Sequence, residues 1–206
     1  MSLDPYCYPG SNVLRNKFDI RDEEELKATE ARVAAVALFA LQDEPVPGPL
    51  DEDWFKATHR AIFGALYDWA GEYRENVGMM KKSRATGYVV TYGGSQFVPG
   101  EMSRIFEELA AEDYLGGLDK VQFAERLAYF YGEVDATHPF RDGNSRTLRQ
   151  FSADIAGAAG YELDWEPTGR SKVSIDDLYA ARDLAFTRRE YGPLTEIIRA
   201  NLSLKG

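Results

Sequence analysis

The segment His138-Pro139-Phe140-Arg141-Asp142-Gly143-Asn144-Ser145-Arg146-Thr147-Leu148-Arg149 places an imidazole, a carboxylate and several guanidinium groups within one short stretch. Pro139 disfavours helical geometry at the residue before it, so a helix ending at His138 presents the imidazole in a loop. An imidazole with an ordinary pKa of about 6.5 suits proton uptake at neutral pH. A new helix starting between Gly143 and Ser145 leaves backbone N–H groups unpaired at the positive end of its dipole, which makes an anion site. Arg146 and Arg149 stand three residues apart and share a face of that first turn. Gly143 lets a ligand approach the backbone, and Asn144 offers an amide to a phosphate oxygen. Asp142 is a hard oxygen ligand suited to Mg²⁺ that phosphates already partly coordinate. Together these groups describe transfer of a phosphorus-containing group to a hydroxyl. Each also has a plainer reading. A histidine before proline ends a helix, arginines at this spacing commonly lie on a surface, and Asp-Gly is commonly a turn.

A polyphosphate site has to be local, because the chain as a whole is acidic. Its 206 residues carry 24 Lys+Arg against 34 Asp+Glu, a formal net charge of −10. That balance opposes direct nucleic-acid binding, which needs clustered cations, and docking on anionic membrane surfaces. At 44% hydrophobic and 13% aromatic the chain can bury a sizeable core. Its length points to one domain over 1–206. Cys7 is the only cysteine, so an internal disulfide or a cysteine-based zinc site is excluded. The only histidines are His59 and His138, too few for a multi-histidine metal cage. No apolar run reaches the roughly 18 residues of a membrane span, and the N-terminus lacks the features of a signal peptide. The expected location is the cytoplasm.

The elements that must position the segment are mostly helices. Residues 1–20 read as an extended arm broken by Pro5, Pro9 and Gly10. Asp22 precedes a helix carrying Leu26, Val33, Val36, Ala37 and Leu41 on one face. Asp51 caps a second, with Trp54, Thr58, Ile62, Leu66 and Trp69 aligned up to Gly71. Residues 74–99 lose the helical rhythm, and Tyr88 to Tyr92 between glycines reads as a short β-hairpin or flap. After Asp119, the positions Phe123, Leu127, Phe130, Tyr131 and Val134 mark a central helix. Leu148, Phe151, Ile155 and Ala159 mark its successor, and Ser174 and Gly192-Pro193 open two more. His59 lies on a helix among aromatic positions and reads as structural.

The twelve-residue segment resembles the Fic family signature, His-Pro-Phe-x-[Asp/Glu]-Gly-Asn-Gly-Arg-x-x-Arg, at every fixed position except Ser145. The likeness extends to Asp4-Pro5-Tyr6 with Asn12 to Asn16, to His59 through Arg74, and to Gly160 through Trp165. It implies an all-α Fic fold, a helical bundle around a central signature helix pair with a small β-hairpin flap. It also implies an Mg²⁺-dependent nucleotidyltransferase that moves AMP from ATP onto a protein hydroxyl. By this resemblance His138 is the base and Asp142 holds Mg²⁺. Gly143, Asn144 and Ser145 hold phosphates, Arg146 neutralises the departing pyrophosphate, Arg149 orients the γ-phosphate, and Phe140 anchors the loop. A lysine at 145 would resemble the related phosphotransferases; a serine is small and favoured at helix starts.

Family members pair a flap with their target protein. Here Gly93-Gly94-Ser95-Gln96-Phe97 resembles its closing segment, so the resemblance places docking at Thr91, Tyr92, Gly93, Gly94 and Ser95. Residues Val77 to Val90, with Lys81, Lys82 and Arg84, resemble an insertion before it. The family's inhibitory motif [Ser/Thr]-x-x-x-Glu-[Gly/Asn] is missing, since Gly71 stands four residues before Glu75-Asn76. The resemblance therefore implies a toxin module whose inhibitory helix sits on a separate antitoxin, and a target such as a type II DNA topoisomerase subunit. Transfer of another nucleotide or phosphate-linked group, or a degenerate Fic domain that binds without turnover, are the alternatives.

Overall fold

Capping carboxylates start the helices where the sequence places them. Asp22 accepts from the Glu25 N–H and opens α1 (Glu23–Asp43), and Asp51 accepts from the Trp54 N–H and opens α2 (Glu52–Phe63). Asp119 accepts from the N–H groups of Val121 and Gln122 to open α4 (Lys120–Thr137). The computed structural model describes residues 4–83, 87, 89–165 and 174–206, so Met1–Leu3, Arg84 and Tyr88 lie outside the described residues. Between α2 and α4 come β1 (Met80–Lys82), β2 (Val89–Thr91) and α3 (Val98–Ala111). After α4 follow α5 (Asn144–Ala158), β3 (Tyr161–Leu163), α6 (Ile175–Arg188), α7 (Gly192–Asn201) and β4 (Leu202–Leu204). Among the described residues the architecture is all-α with two small antiparallel pairs, β1–β2 and β3–β4.

The central helix is α4. Phe123, Leu127, Phe130, Tyr131 and Val134 along it are buried against α3, α5, α6 and α7. Burying such a side chain stabilises the fold by roughly 2–3 kcal/mol each. A second cluster joins α1 and α2 to the N-terminal arm through Cys7, Val13, Leu14, Leu26, Ile62, Phe63 and Leu66.

Three sequence expectations are corrected. Val36 is 71% exposed, because the buried stripe of α1 runs through Leu26, Ala34 and Leu41 instead. Leu66 and Trp69 lie beyond the end of α2 at Phe63 and pack from the following turns. The hairpin expected around Tyr88 to Tyr92 reaches back to Met80, within the stretch read as an insertion, with Met80 opposite Thr91 and Lys82 opposite Val89. The β3–β4 pair escaped the sequence reading because its strands are three residues long and far apart in the chain. No helix among the described residues is long and apolar enough to cross a membrane.

Candidate active site

Helix α4 ends at His138, which adopts a left-handed conformation with φ 49°. That turn is held by Arg74, a fully buried guanidinium. Its Nε donates to the His138 carbonyl at 2.7 Å and its Nη2 to the Gly93 carbonyl at 2.7 Å and the Thr137 carbonyl at 3.3 Å. One side chain thus joins the end of the central helix to the flap. The His138 ring stacks on Tyr92 with centroids 4.0 Å apart. Burial lowers the His138 pKa to about 4, while the Asp135 carboxylate pulls it upward. The imidazole is therefore neutral at physiological pH and able to accept a proton.

The loop after His138 is clamped from below. Phe140 is buried, with its ring 3.8 Å from that of His59 and 5.4 Å from that of Phe55. His59 Nδ1 accepts from the Gly71 N–H at 2.9 Å, so Nε2 carries the hydrogen and donates to the Asp142 carbonyl at 3.0 Å. The structural reading of His59 holds, with a purpose attached: it fixes the backbone beneath Asp142. Asn144 places Oδ1 on the Phe140 N–H and donates Nδ2 to the Phe140 carbonyl, both at 2.9 Å. Its amide clasps the loop and keeps at most one N–H for a phosphate.

Gly143 starts α5 with φ 79°, and a Cβ there would lie 2.3 Å from Phe63 Cε2. The left-handed φ and the close approach of Phe63 each require glycine here, a packing reason that the sequence does not show. Position 145 is different. It lies inside α5 and has no positive φ, so serine is unstrained. Its Oγ accepts a hydrogen bond of 3.0 Å from Arg182 Nη1 on α6.

The cradle is open at its rim. Helix geometry leaves the N–H groups of Asn144 and Ser145 without intrahelical acceptors. Arg146 pairs with Glu30 of α1, lies 3.8 Å from Asp142 Oδ1 and sits over the Phe63 ring at 4.6 Å. Glu30 also accepts from the Tyr67 hydroxyl. Asp142 accepts from the Gly143 N–H at 2.6 Å, and desolvation, followed by the negative charge of Glu30, raises its pKa. Arg149 lines the same space, and its Nε has no hydrogen-bond partner among the described residues.

A cavity of about 620 Å³ brings together His138, Asp142, Gly143, Asn144, Ser145, Arg146 and Arg149. Of the flap residues expected to dock a target, Tyr92 is buried and faces inward onto His138. Thr91, Gly93, Gly94 and Ser95 do not line this cavity; Gly93 and Gly94 border a smaller neighbour of about 200 Å³. Lys81, named from the sequence only within the basic stretch before the flap, lines the main cavity, and so do Tyr179, Arg182 and Asp183 of α6, which were missed. No local pattern distinguishes these α6 residues, because only the packing of α6 on α4 brings them to the loop.

The Fic/DOC family model matches residues 49–155, from α2 to within α5. The chain belongs to the Fic/DOC family. This Fic domain is 35% identical to "Protein adenylyltransferase VbhT" of Bartonella schoenbuchensis over 98% of its own length and 42% of that protein. It is 37% identical to y4lH of Sinorhizobium fredii, named a probable protein adenylyltransferase, over 78% of the chain and 79% of that protein. The chain thus spans under half of the first relative and most of the second. Among solved structures, the N-terminal Fic domain of a VirB-translocated Bep effector from Bartonella quintana with bound ADP superposes with a TM-score of 0.84. That domain is 26% identical, over 97% of this chain and 95% of its own. These likenesses bear out the all-α Fic fold and support nucleotide transfer, as the signature implied.

Proposed function

We propose that this Fic domain is a protein adenylyltransferase, transferring AMP from ATP to a side-chain hydroxyl of a target protein. The observation that carries the reading is one cavity holding a half-buried neutral His138 beside the α5 start, Arg146, Arg149 and Asp142. His138 takes the proton from the target hydroxyl as its oxygen bonds to the α-phosphorus. The bond from that phosphorus to the bridging oxygen breaks, and pyrophosphate leaves against Arg146 and Arg149. In-line displacement of this kind needs positioning and charge neutralisation more than covalent help from the protein.

The residues present fit Mg²⁺. Asp142 offers a half-exposed carboxylate at the rim, and one or two carboxylates completed by phosphate oxygens suit this ion. When bound, the ion would neutralise phosphate charge; Asp142 would hold it.

The target hydroxyl, on Ser, Thr or Tyr, would be brought in by the β1–β2 hairpin, whose Met80 and Val89 are exposed. Strand addition at such an edge relies on main-chain hydrogen bonds and tolerates varied sequences. We place the enzyme in the cytoplasm, where ATP is at hand, as one domain over 1–206 acting as a toxin module. A type II DNA topoisomerase subunit is the target class to test first. A separate antitoxin supplies the inhibitory helix in this reading, since Glu75-Asn76 lies in the loop after Arg74 and not on a helix.

Incubation with α-labelled or γ-labelled ATP and a bacterial lysate, beside His138→Ala, tests the proposal. Label passing to protein from the α-position alone, and lost in the variant, is the expected result. Transfer of γ-label would make the domain a phosphotransferase, and ATP binding without transfer would make it a non-catalytic module.

A further inference from the structure

Arg182 reaches the phosphate cradle from α6, outside the signature. Its Nε donates to Asp135 Oδ2 at 3.0 Å and its Nη2 to Asp135 Oδ1 at 2.5 Å. Asp135 lies in α4, three residues before His138, and both members of the pair are buried. A two-pronged contact fixes the plane of a guanidinium. With that plane fixed, Nη1 is aimed at Ser145 Oγ at 3.0 Å.

A hydroxyl that accepts from a cation keeps its own hydrogen to give, and such a chain of hydrogen bonds strengthens each donor. Ser145 lines the main cavity on the first turn of α5, where the free N–H groups of the cradle converge. We propose that Arg182 is a positioning residue that orients the Ser145 hydroxyl as an added side-chain donor to the polyphosphate of the nucleotide. A glycine at 145 can offer only its backbone N–H, so the serine and Arg182 work as one unit. The inference rests on the reading of the cavity as a nucleotide site.

The test is a double-mutant cycle on the full chain, read as Kd for ATP, as kcat and KM for AMP transfer, and as thermal midpoint. Arg182→Met leaves Asp135 buried and unpaired, so the charge-balanced double Arg182→Met/Asp135→Asn is run beside it. Ser145→Gly alone is expected to weaken ATP binding or kcat/KM by about three- to tenfold, and loss of Arg182 by about tenfold. In the Ser145→Gly background the balanced removal of Arg182 should cost less than about threefold more, the mark of coupled sites. Equal costs in both backgrounds, or no effect of Ser145→Gly on affinity or turnover, would overturn the proposal. If the parent binds ATP without transferring AMP, the adenylyltransferase reading fails while the affinity cycle still decides this one. A parent that binds no ATP overturns both.

Discussion

Lys81 on the flap strand β1 forms an ion pair with Asp183 on α6, Nζ to Oδ1 at 2.9 Å, across the mouth of the cavity. The Asp183 side chain is 4% exposed and that of Lys81 25%, so the pair is poorly screened by water. Lys81 also lies within 5.4 Å of the Phe186 ring and 5.6 Å of the Tyr92 ring, the ring that stacks on His138. Lys81→Met is expected to release the hairpin from α6. Stability should fall by roughly 1–3 kcal/mol, less than for a fully buried pair because the lysine is partly wet. Hydrogen exchange over Met80–Lys82 and Val89–Thr91 should quicken while α4 stays protected; unchanged exchange in the hairpin would refute the latch.

The histidines make stability fall on the acid side. Burial lowers the pKa of both His59 and His138 to about 4. The unfolded chain, with imidazoles titrating at about 6.5, therefore binds more protons than the folded one between those values. Stability is lost as pH falls through that window, by a few kcal/mol per histidine. Urea midpoints from pH 7 to pH 4 should show this slope, and His59→Gln should reduce it. In the proposed reaction the neutral His138 is the acceptor, so catalysis follows the same sign. The acid limb of kcat/KM should lie well below 6.5, toward about 4.

Gly143 is constrained twice, by φ 79° and by Phe63. Gly143→Ala should lower stability by roughly 2–4 kcal/mol, combining backbone strain with a core clash. Adding Phe63→Leu should return part of that loss by vacating the space. Calorimetric midpoints of the two variants decide it; no rescue by the second substitution would mean that strain alone is responsible.

Glu30 of α1 pairs with Arg146, one of the two arginines that the proposed reaction sets against the departing pyrophosphate. Glu30→Gln should free the guanidinium and remove a like-charge repulsion, tightening ATP binding by roughly three- to tenfold. Titration calorimetry with ATP measures this. Weaker binding would show that Glu30 instead holds Arg146 in its working orientation.

Much of this site was legible locally. Pro139 and the Asp-Gly step place a helix end and a helix start around one loop, and φ preferences act between neighbours, so His138 to Arg149 could be read directly. Val36 misled the reading because a helical stripe has several admissible faces, and only packing selects among them. Tyr92 stands among the docking residues by resemblance alone, and no local pattern shows that its ring turns inward onto His138.

Charge compensation was not legible at all. Arg146 meets Glu30 from 116 residues away, Arg141 meets Asp4 from 137, and Arg182 meets Asp135 from 47. The sequence by itself determined which groups gather around the loop from His138 to Arg149, because short-range backbone geometry orders them within one turn and one loop. Tertiary structure alone decided which of those groups are already paired, how far burial depresses His138, and that α6 adds Arg182 to the cradle. Electrostatic interaction depends on distance and burial in three dimensions, and neither is written in the order of residues.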